Sequence, residues 1–232
     1  MKVLRIPLWL EMEDRRVLVV GGGNVGTRRA LKFLEAGARV RVLSLYFSDK
    51  LREEASRNPR LELVEGDASR EDVVREHVGW ADIVVIATDR SEINELVWSI
   101  AKSMRKWVND ATNAERTEIV VPYEGKVFDG LRFAVTSEGR SGVAARWARD
   151  RIKRCLESDL ELKTLFEAMT YAKQFMKKVI PDAKKRFSIY FEIEDDPMFR
   201  KAVGRGDVEE AKKRAKEIIL EKAKELGYII QT

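Results

Sequence analysis

The stretch VLVVGGGNVGTRRALKFLEAGARVRVLS, Val17 to Ser44, decides the fold. An apolar run ends in glycines, apolar residues then recur at helical spacing, and ARVRVLS alternates as a strand does. The glycines follow the pattern G-x-G-x-x-G, which allows a tight turn and brings backbone N–H groups close to a pyrophosphate. The stretch therefore predicts a nucleotide-binding βαβ unit; the alternative is a glycine turn that serves packing alone. The predicted contacts are Gly21, Gly22, Gly23, Asn24, Val25 and Gly26.

The second strand of this unit ends at Ser44, where dinucleotide sites usually carry an acid that binds the ribose. We expect Ser44 and Leu45 to lie at the ribose. A serine hydroxyl can donate to a ribose hydroxyl or to a 2′-phosphate, and Arg41 is close in sequence. NAD and NADP therefore both stay open, although alternation places Arg41 on the face opposite Val40 and Val42.

Strand and helix patterns alternate as far as Asp110, which predicts an α/β fold with a doubly wound, Rossmann-like parallel sheet. Two strand-like runs follow, Ile119–Val121 and Leu131–Thr136, with turn signals at Glu124-Gly125 and Asp129-Gly130. They predict a small antiparallel element that pairs across a dimer or forms an edge hairpin. From Ser141 onward the pattern is helical. The predicted domains are 1–113 for nucleotide binding, 114–140 for the β element and 141–232 for the helices.

The composition excludes several classes of protein. The chain has 232 residues, of which 44% are hydrophobic and 36% charged, so it can bury a sizeable core. This charge content, with one Cys and one His, is typical of thermophilic proteins. The lone Cys155 excludes an intrachain disulfide, which favours a cytoplasmic location. No apolar run is long enough to span a bilayer, and no membrane association is expected.

The net charge of +5 is spread over helices that carry both signs, which favours solvated faces over nucleic-acid binding. A soft-metal cage is not expected from one His and one Cys. We expect His77 to lie at the surface or at an interface.

Polar residues follow the fourth and fifth predicted strands, at the edge of the sheet where ligands bind in such folds. Thr88 and Asp89 line the cofactor cleft or cap the next helix, and Asn94 lies one helical turn further on. Asn109 and Asp110 emerge at the same edge. A carboxylate beside a nicotinamide is a candidate general base, so Asp110 is the catalytic candidate; a loop cap is the alternative.

The segment TSEGRSGVAARWARDRIKR joins a strand to a helix. Ser141 is predicted near the helix N-terminus, which favours anions. Arg140, Arg146 and Arg149 form either a wall that binds carboxylates or a solvated basic face.

The order of these motifs resembles the NAD-dependent precorrin-2 dehydrogenase/sirohydrochlorin ferrochelatase family of siroheme synthesis. The resemblance covers roughly residues 4–157 and rests on RIPLWLEMEDRRVLVVGGGNVG, IATD with Asn94, VN before a short loop, Pro122, and AVTSEGRSGVAARWARDRI. It implies a homodimer that passes a hydride from a polycarboxylate tetrapyrrole to NAD, with ferrous iron as a second substrate of many members. The missing acid at Ser44 is usual in that family.

The resemblance also implies contacts with the substrate. These are Asn109, Thr112, Ser137, Arg140, Ser141, Arg146 and Arg149. Counting back from Pro122 places Thr112, rather than Asp110, at the position of the family's catalytic Asp. Ser141-Gly142 stands where many members have Ser-Pro. Two other functions remain open: a nucleotide-sensing regulatory module, and a chelatase without redox activity.

Overall fold

A computed structural model describes residues 5–228, which divide into two compact units. The first comprises residues through Pro122 together with Thr136–Ala145, and the second comprises Tyr123–Val135 and the chain from Arg146 onward. The predicted division at residues 113 and 140 stays a prediction.

The first unit contains a five-stranded parallel sheet in the order β3-β2-β1-β4-β5, which confirms the predicted α/β, Rossmann-like class. Its strands are β1 Arg16–Val20, β2 Arg39–Ser44, β3 Leu61–Glu65, β4 Ile83–Ile86 and β5 Trp107–Asp110. Its helices are α1 Asn24–Glu35, α2 Asp49–Arg57, α3 Glu71–Trp80 and α4 Ser91–Ser103.

Helices cover both faces of this sheet, because successive strand side chains point to opposite faces. Val17 and Val19 of β1 pack with Phe33 of α1 on one face, and Leu18 and Val20 pack against α3 and α4 on the other. Strands buried on both faces are expected to be nearly all apolar, as IVVI of β4 is. The strand order reverses its direction at β1, so a crevice opens beside the carboxyl ends of β1 and β4.

The second unit contains an antiparallel hairpin and helices. Its elements are β6 Tyr123–Val127, β7 Leu131–Val135, α5 Gly142–Glu157 (which starts in the first unit), α6 Leu160–Val179, α7 Ala183–Asp195, α8 Pro197–Gly204 and α9 Val208–Glu225. Buried residues of α6 to α9 form one core, in which Met176, Ile193 and Ile219 are fully buried. Asp207 caps α9 by accepting the Glu210 amide at 3.0 Å, and Gly227 follows the helix at φ +78°.

The prediction for the first strand of the hairpin was wrong. Ile119 and Val121 are irregular and pack on the core of the sheet, and the predicted turn at Glu124-Gly125 lies inside β6. Gly125 is there because a Cβ would come within 2.2 Å of the Phe133 ring on the paired strand. This glycine therefore makes room for a cross-strand aromatic ring and does not form a turn.

No helix between residues 5 and 228 is long and apolar enough to cross a bilayer.

Candidate functional site

A cleft of about 490 Å³ opens at the carboxyl ends of β1 to β4. It contains most of the residues predicted to contact a nucleotide: Gly21, Gly22, Gly23, Asn24, Val25, Ser44, Leu45, Thr88 and Asp89. Gly26 and Asn94 are buried behind this lining. The sequence therefore located the cleft to within a few residues.

The glycine turn has no room for side chains except at one position. A Cβ at Gly21, which has φ +112°, would lie 2.5 Å from the carbonyl oxygen of Ala87. A Cβ at Gly22 would lie 2.0 Å from the carbonyl oxygen of Tyr46, and one at Gly26 would lie 1.8 Å from that of Gly21. At Gly23 a Cβ would meet nothing within 4 Å. The backbone at Gly23 is thus bare toward the cleft, as close approach of a phosphate requires.

The start of α1 also fits an anion. Gly23 is the N-cap, no side chain accepts a hydrogen bond from the first turn, and that turn has no acidic residue. The amide N–H groups at a helix N-terminus attract negative charge when no cap satisfies them. These residues therefore suit the pyrophosphate of a dinucleotide.

Sequence reasoning missed Asp67, which lines the cleft after β3. Its carboxylate accepts the Ser69 amide at 2.9 Å. Hydrogen bonds from Ser69 lower the pKa of Asp67, and the charges of Arg90 and Arg70 lower it further. The cleft thus has a fixed negative charge, although Ser44 itself is neutral. The available signal was the position of Asp67 directly after a predicted strand.

Thr88 and Asp89 line the cleft and do not cap α4, whose N-cap is Arg90 without a side-chain hydrogen bond. The Thr88 hydroxyl donates a hydrogen bond to Oδ1 of Asn94 at 2.6 Å. The capping alternative was therefore wrong, because the Thr88 hydroxyl bonds to the Asn94 side chain and does not accept an amide of the first turn of α4.

Asp110 lies at the end of β5 with 3% of its surface exposed. Its Oδ1 accepts the Thr112 hydroxyl at 2.7 Å, the Thr112 amide at 2.8 Å and the Asn113 amide at 3.0 Å. Oδ2 is buried and has no hydrogen-bond partner among the described residues. Asn109 is also buried and donates to the Ile119 carbonyl at 2.8 Å. Asp110 therefore does fix the loop, which leaves its catalytic role a proposal.

The residues predicted to bind substrate carboxylates belong to both units. Ser137, Arg140 and Ser141 lie in the first, where the Ser141 hydroxyl accepts the Ala144 amide at 3.1 Å and caps α5. Arg146 and Arg149 lie in the second. Arg146 is exposed, whereas Arg149 donates to the Glu124 carbonyl at 3.0 Å.

The expectation that His77 lies at the surface or at an interface was wrong, because the chain itself buries this residue. It is 8% exposed, and its Nδ1 lies 3.3 Å from the guanidinium of Arg41, which stacks on Trp80 and pairs with Glu62. Arg41 thus points to the α3 side, opposite Val40 and Val42, and does not line the cleft. Burial lowers the pKa of His77, and the charge of Arg41 lowers it further.

Between residues 5 and 228, no three His, Cys, Asp or Glu side chains form a metal-binding group.

Residues 8–123, half of the chain, match the family described as "Putative NAD(P)-binding". The chain belongs to this family. The glycine turn, the uncapped start of α1 and the whole cleft lie inside the matched segment.

Relatives extend the match beyond the family segment. A "Putative precorrin-2 dehydrogenase" of Methanocaldococcus jannaschii is 29% identical over 197 residues, which cover 84% of this chain and 92% of that protein. A "Siroheme synthase 2" of Serratia proteamaculans is 26% identical over 97% of this chain and 46% of its own length. The chain thus spans less than half of that siroheme synthase. These names confirm the resemblance seen in the sequence.

A solved structure described as "SirC, precorrin-2 dehydrogenase" superposes with a TM-score of 0.65 at 22% identity, over 95% of this chain and all of that one. This likeness shows a shared fold.

Proposed function

We propose that the chain is an NAD-dependent precorrin-2 dehydrogenase that forms sirohydrochlorin. One observation carries the proposal: a bare glycine turn lines a nucleotide cleft in a chain that aligns over 92% of a relative named for this reaction. Oxidation of a carbon centre by NAD draws on the intracellular nucleotide pool, so the proposed location is the cytoplasm.

The residues of the cleft have distinct roles in holding the nucleotide. The backbone of Gly21 to Gly23 and the start of α1 bind the pyrophosphate, while Gly26 keeps the helix close to the strand. Ser44 and Leu45 contact the adenosine ribose, and Thr88 and Asp89 lie toward the nicotinamide. Bound NAD supplies the hydride acceptor. Asp67 is anionic at neutral pH and lines the same cleft, so it repels a 2′-phosphate and favours NAD over NADP.

The substrate side depends on the residues beyond β5. Asp110 is the proposed proton acceptor, with Asn109 before it in β5 and Thr112 in the loop that follows the strand. Arg140 and Arg146 are exposed and can grip carboxylates of the tetrapyrrole, and Ser137 and Ser141 add hydroxyl donors. Arg149 is a further proposed contact for these carboxylates, although its guanidinium also donates to the Glu124 carbonyl.

The proposed enzyme is a homodimer. Helix α5 has 16 residues, of which Ala145 alone is buried, while Val143 and Trp147 on the same helix are 61% and 60% exposed. An amphipathic helix gains stability by burying an apolar face. A second copy of the chain is the partner we propose for this face, and light scattering of the purified protein measures the assembly.

The decisive experiment incubates the protein with precorrin-2, with and without NAD, and then adds ferrous iron while absorption spectra are recorded. We expect a sirohydrochlorin spectrum that requires NAD. Iron insertion after that step would add ferrochelatase activity to the proposal. A protein that binds NAD but leaves the spectrum unchanged would instead be a nucleotide sensor, and iron insertion without any NAD-dependent step would indicate a chelatase. Either result would refute the dehydrogenase.

A further inference from the structure

A chain of hydrogen bonds joins the nucleotide cleft to the carboxylate of Asp110. The Thr88 hydroxyl donates to Asn94 Oδ1 at 2.6 Å, and Asn94 Nδ2 donates to the Thr112 hydroxyl oxygen at 3.3 Å. The Thr112 hydroxyl then donates to Asp110 Oδ1 at 2.7 Å. Asn94, at 5% exposure, thereby bridges the ends of two neighbouring strands. All four residues belong to the first unit.

The members of this chain differ in their access to a substrate. Thr112 is exposed, whereas Asp110 is 3% exposed. Oδ2 of Asp110 is buried, and Oδ1 already accepts three hydrogen bonds. Thr112 is therefore the more accessible of the two residues.

A loop cap explains only part of this arrangement. Amide bonds to an Asp side chain two and three residues ahead are ordinary turn chemistry. They explain neither the third bond, from the Thr112 hydroxyl, nor the bare and buried Oδ2. A buried carboxylate oxygen without a hydrogen-bond donor is costly, so this arrangement needs an explanation beyond the turn.

We propose that Thr112 is the catalytic residue that contacts the substrate, and that Asp110 receives the proton through the Thr112 hydroxyl. The proposal rests on the dehydrogenase function. As the substrate loses a hydride to NAD, its departing proton bonds to Thr112 Oγ1 while the hydroxyl's own proton passes to Asp110 Oδ1. The hydroxyl is thus regenerated, and the carboxylate becomes a neutral carboxyl group. That proton returns to solvent by the same path after the product leaves.

Asn94 fixes the direction of this transfer. Its amide N–H donates to Thr112 Oγ1 and occupies one lone pair of that oxygen. The hydroxyl proton therefore points to Asp110. Its carbonyl oxygen accepts from Thr88, which lines the nucleotide cleft. Asn94 is therefore a positioning residue, and the orientation of the proton path is coupled to the cleft that holds NAD.

The test compares Thr112→Val with Thr112→Ser, which keeps the hydroxyl. We expect Thr112→Val to lower kcat for NADH formation from precorrin-2 by about 100-fold or more, since general acid–base groups contribute factors of this order. Thr112→Ser should stay within about tenfold of the wild type. Binding of NAD, followed by fluorescence quenching, and the melting temperature should be unchanged in both variants.

Three results would overturn the assignment. Near-normal kcat in Thr112→Val would mean that the proton bypasses the hydroxyl. Lost NAD binding or a lowered melting temperature alongside lost activity in both variants would indicate a structural role. A wild-type protein that forms no NADH would refute the dehydrogenase function itself, and the inference with it.

Discussion

Helices of the two units begin in different ways. Three helices that follow strands of the sheet, α1, α3 and α4, have N-caps without a side-chain hydrogen bond. Each of the helices α6 to α9 begins after an aspartate whose carboxylate accepts an amide of the first turn: Asp159, Asp182, Asp196 and Asp207.

The difference separates binding from stability. Uncapped amides beside a cleft are available to a ligand, whereas a capping carboxylate stabilises a helix by about 1 kcal/mol and closes its end to anions. The contrast is clearest at α1: α2 is capped by Ser48 outside the cleft lining, and α3 is uncapped but has Glu71 and Asp72 in its first turn. The first turn of α1 therefore has no acidic side chain, which would compete with a phosphate.

The largest expected effect follows from adding a methyl group at Gly26. Its Cβ would lie 1.8 Å from the Gly21 carbonyl oxygen, so Gly26→Ala must displace the backbone of the turn. We expect a loss of about 3 kcal/mol or more in the free energy of unfolding, measured by urea denaturation. Gly79→Ala is the control, since a Cβ there meets nothing within 4 Å. Equal stability of the two variants would contradict the close packing of the turn.

The next effect concerns Asp196, which caps α8 and pairs with Arg214 through both carboxylate oxygens at 3.0 and 2.7 Å. We expect Asp196→Ala to cost about 2–4 kcal/mol, the sum of a cap and charge-assisted bonds. Asp195→Ala, which removes an exposed pair with Arg200, should change stability by less than about 1 kcal/mol. The hydrogen bonds from Arg214 lower the pKa of Asp196, so its contribution should fade as the pH falls through that lowered pKa. A deficit in the Asp196→Ala variant that persists unchanged in strong acid would contradict this account.

Gly23→Ala separates binding from folding. The added Cβ meets nothing within 4 Å and lies at the bare part of the turn. We expect the melting temperature to stay the same while the Kd for NAD, measured by calorimetry, rises about tenfold, which corresponds to about 1.4 kcal/mol. Unaltered affinity would mean that the phosphate does not approach Gly23.

The smallest effect concerns His77 and the pH. Because its pKa is lowered from 6.5 in the folded protein, the unfolded state binds the proton first as the pH falls. Stability from this group is therefore complete above about pH 6.5 and declines below it, until the lowered pKa is reached. His77→Gln should lose less stability than the wild type between about pH 7 and 5. Parallel urea titrations of the two proteins decide this, and identical declines would remove His77 as the cause.

The sheet and its cleft could be predicted from the sequence, because both depend on local patterns. Buried parallel strands are continuous apolar runs, and the glycines of the turn are required by contacts within a short βαβ unit. Ser44 and Thr88 follow from the same rule, since ligands collect at strand ends.

The wrong predictions concern residues whose surroundings are formed by side chains distant in the sequence. Gly125 reads as a turn until the Phe133 ring on the paired strand is known, and His77 reads as exposed until Arg41 and Trp80 are placed beside it. Thr112 could be named from the family resemblance, but its bond to Asp110 and its bridge to Asn94 could not. Such contacts join residues whose separation in the chain has no periodic signature.

The hydrogen bonds that hold the glycine turn affect how a ligand would associate with it. Gly21 donates to the Leu43 carbonyl at 2.9 Å, Gly22 accepts from the Ser48 amide at 3.1 Å, and Gly23 accepts from Thr27 at 2.8 Å. The turn is therefore ordered when the sheet forms, and a nucleotide has little conformational entropy left to remove there. Association should then proceed in a single kinetic phase whose observed rate rises linearly with nucleotide concentration, as expected for a rigid receptor.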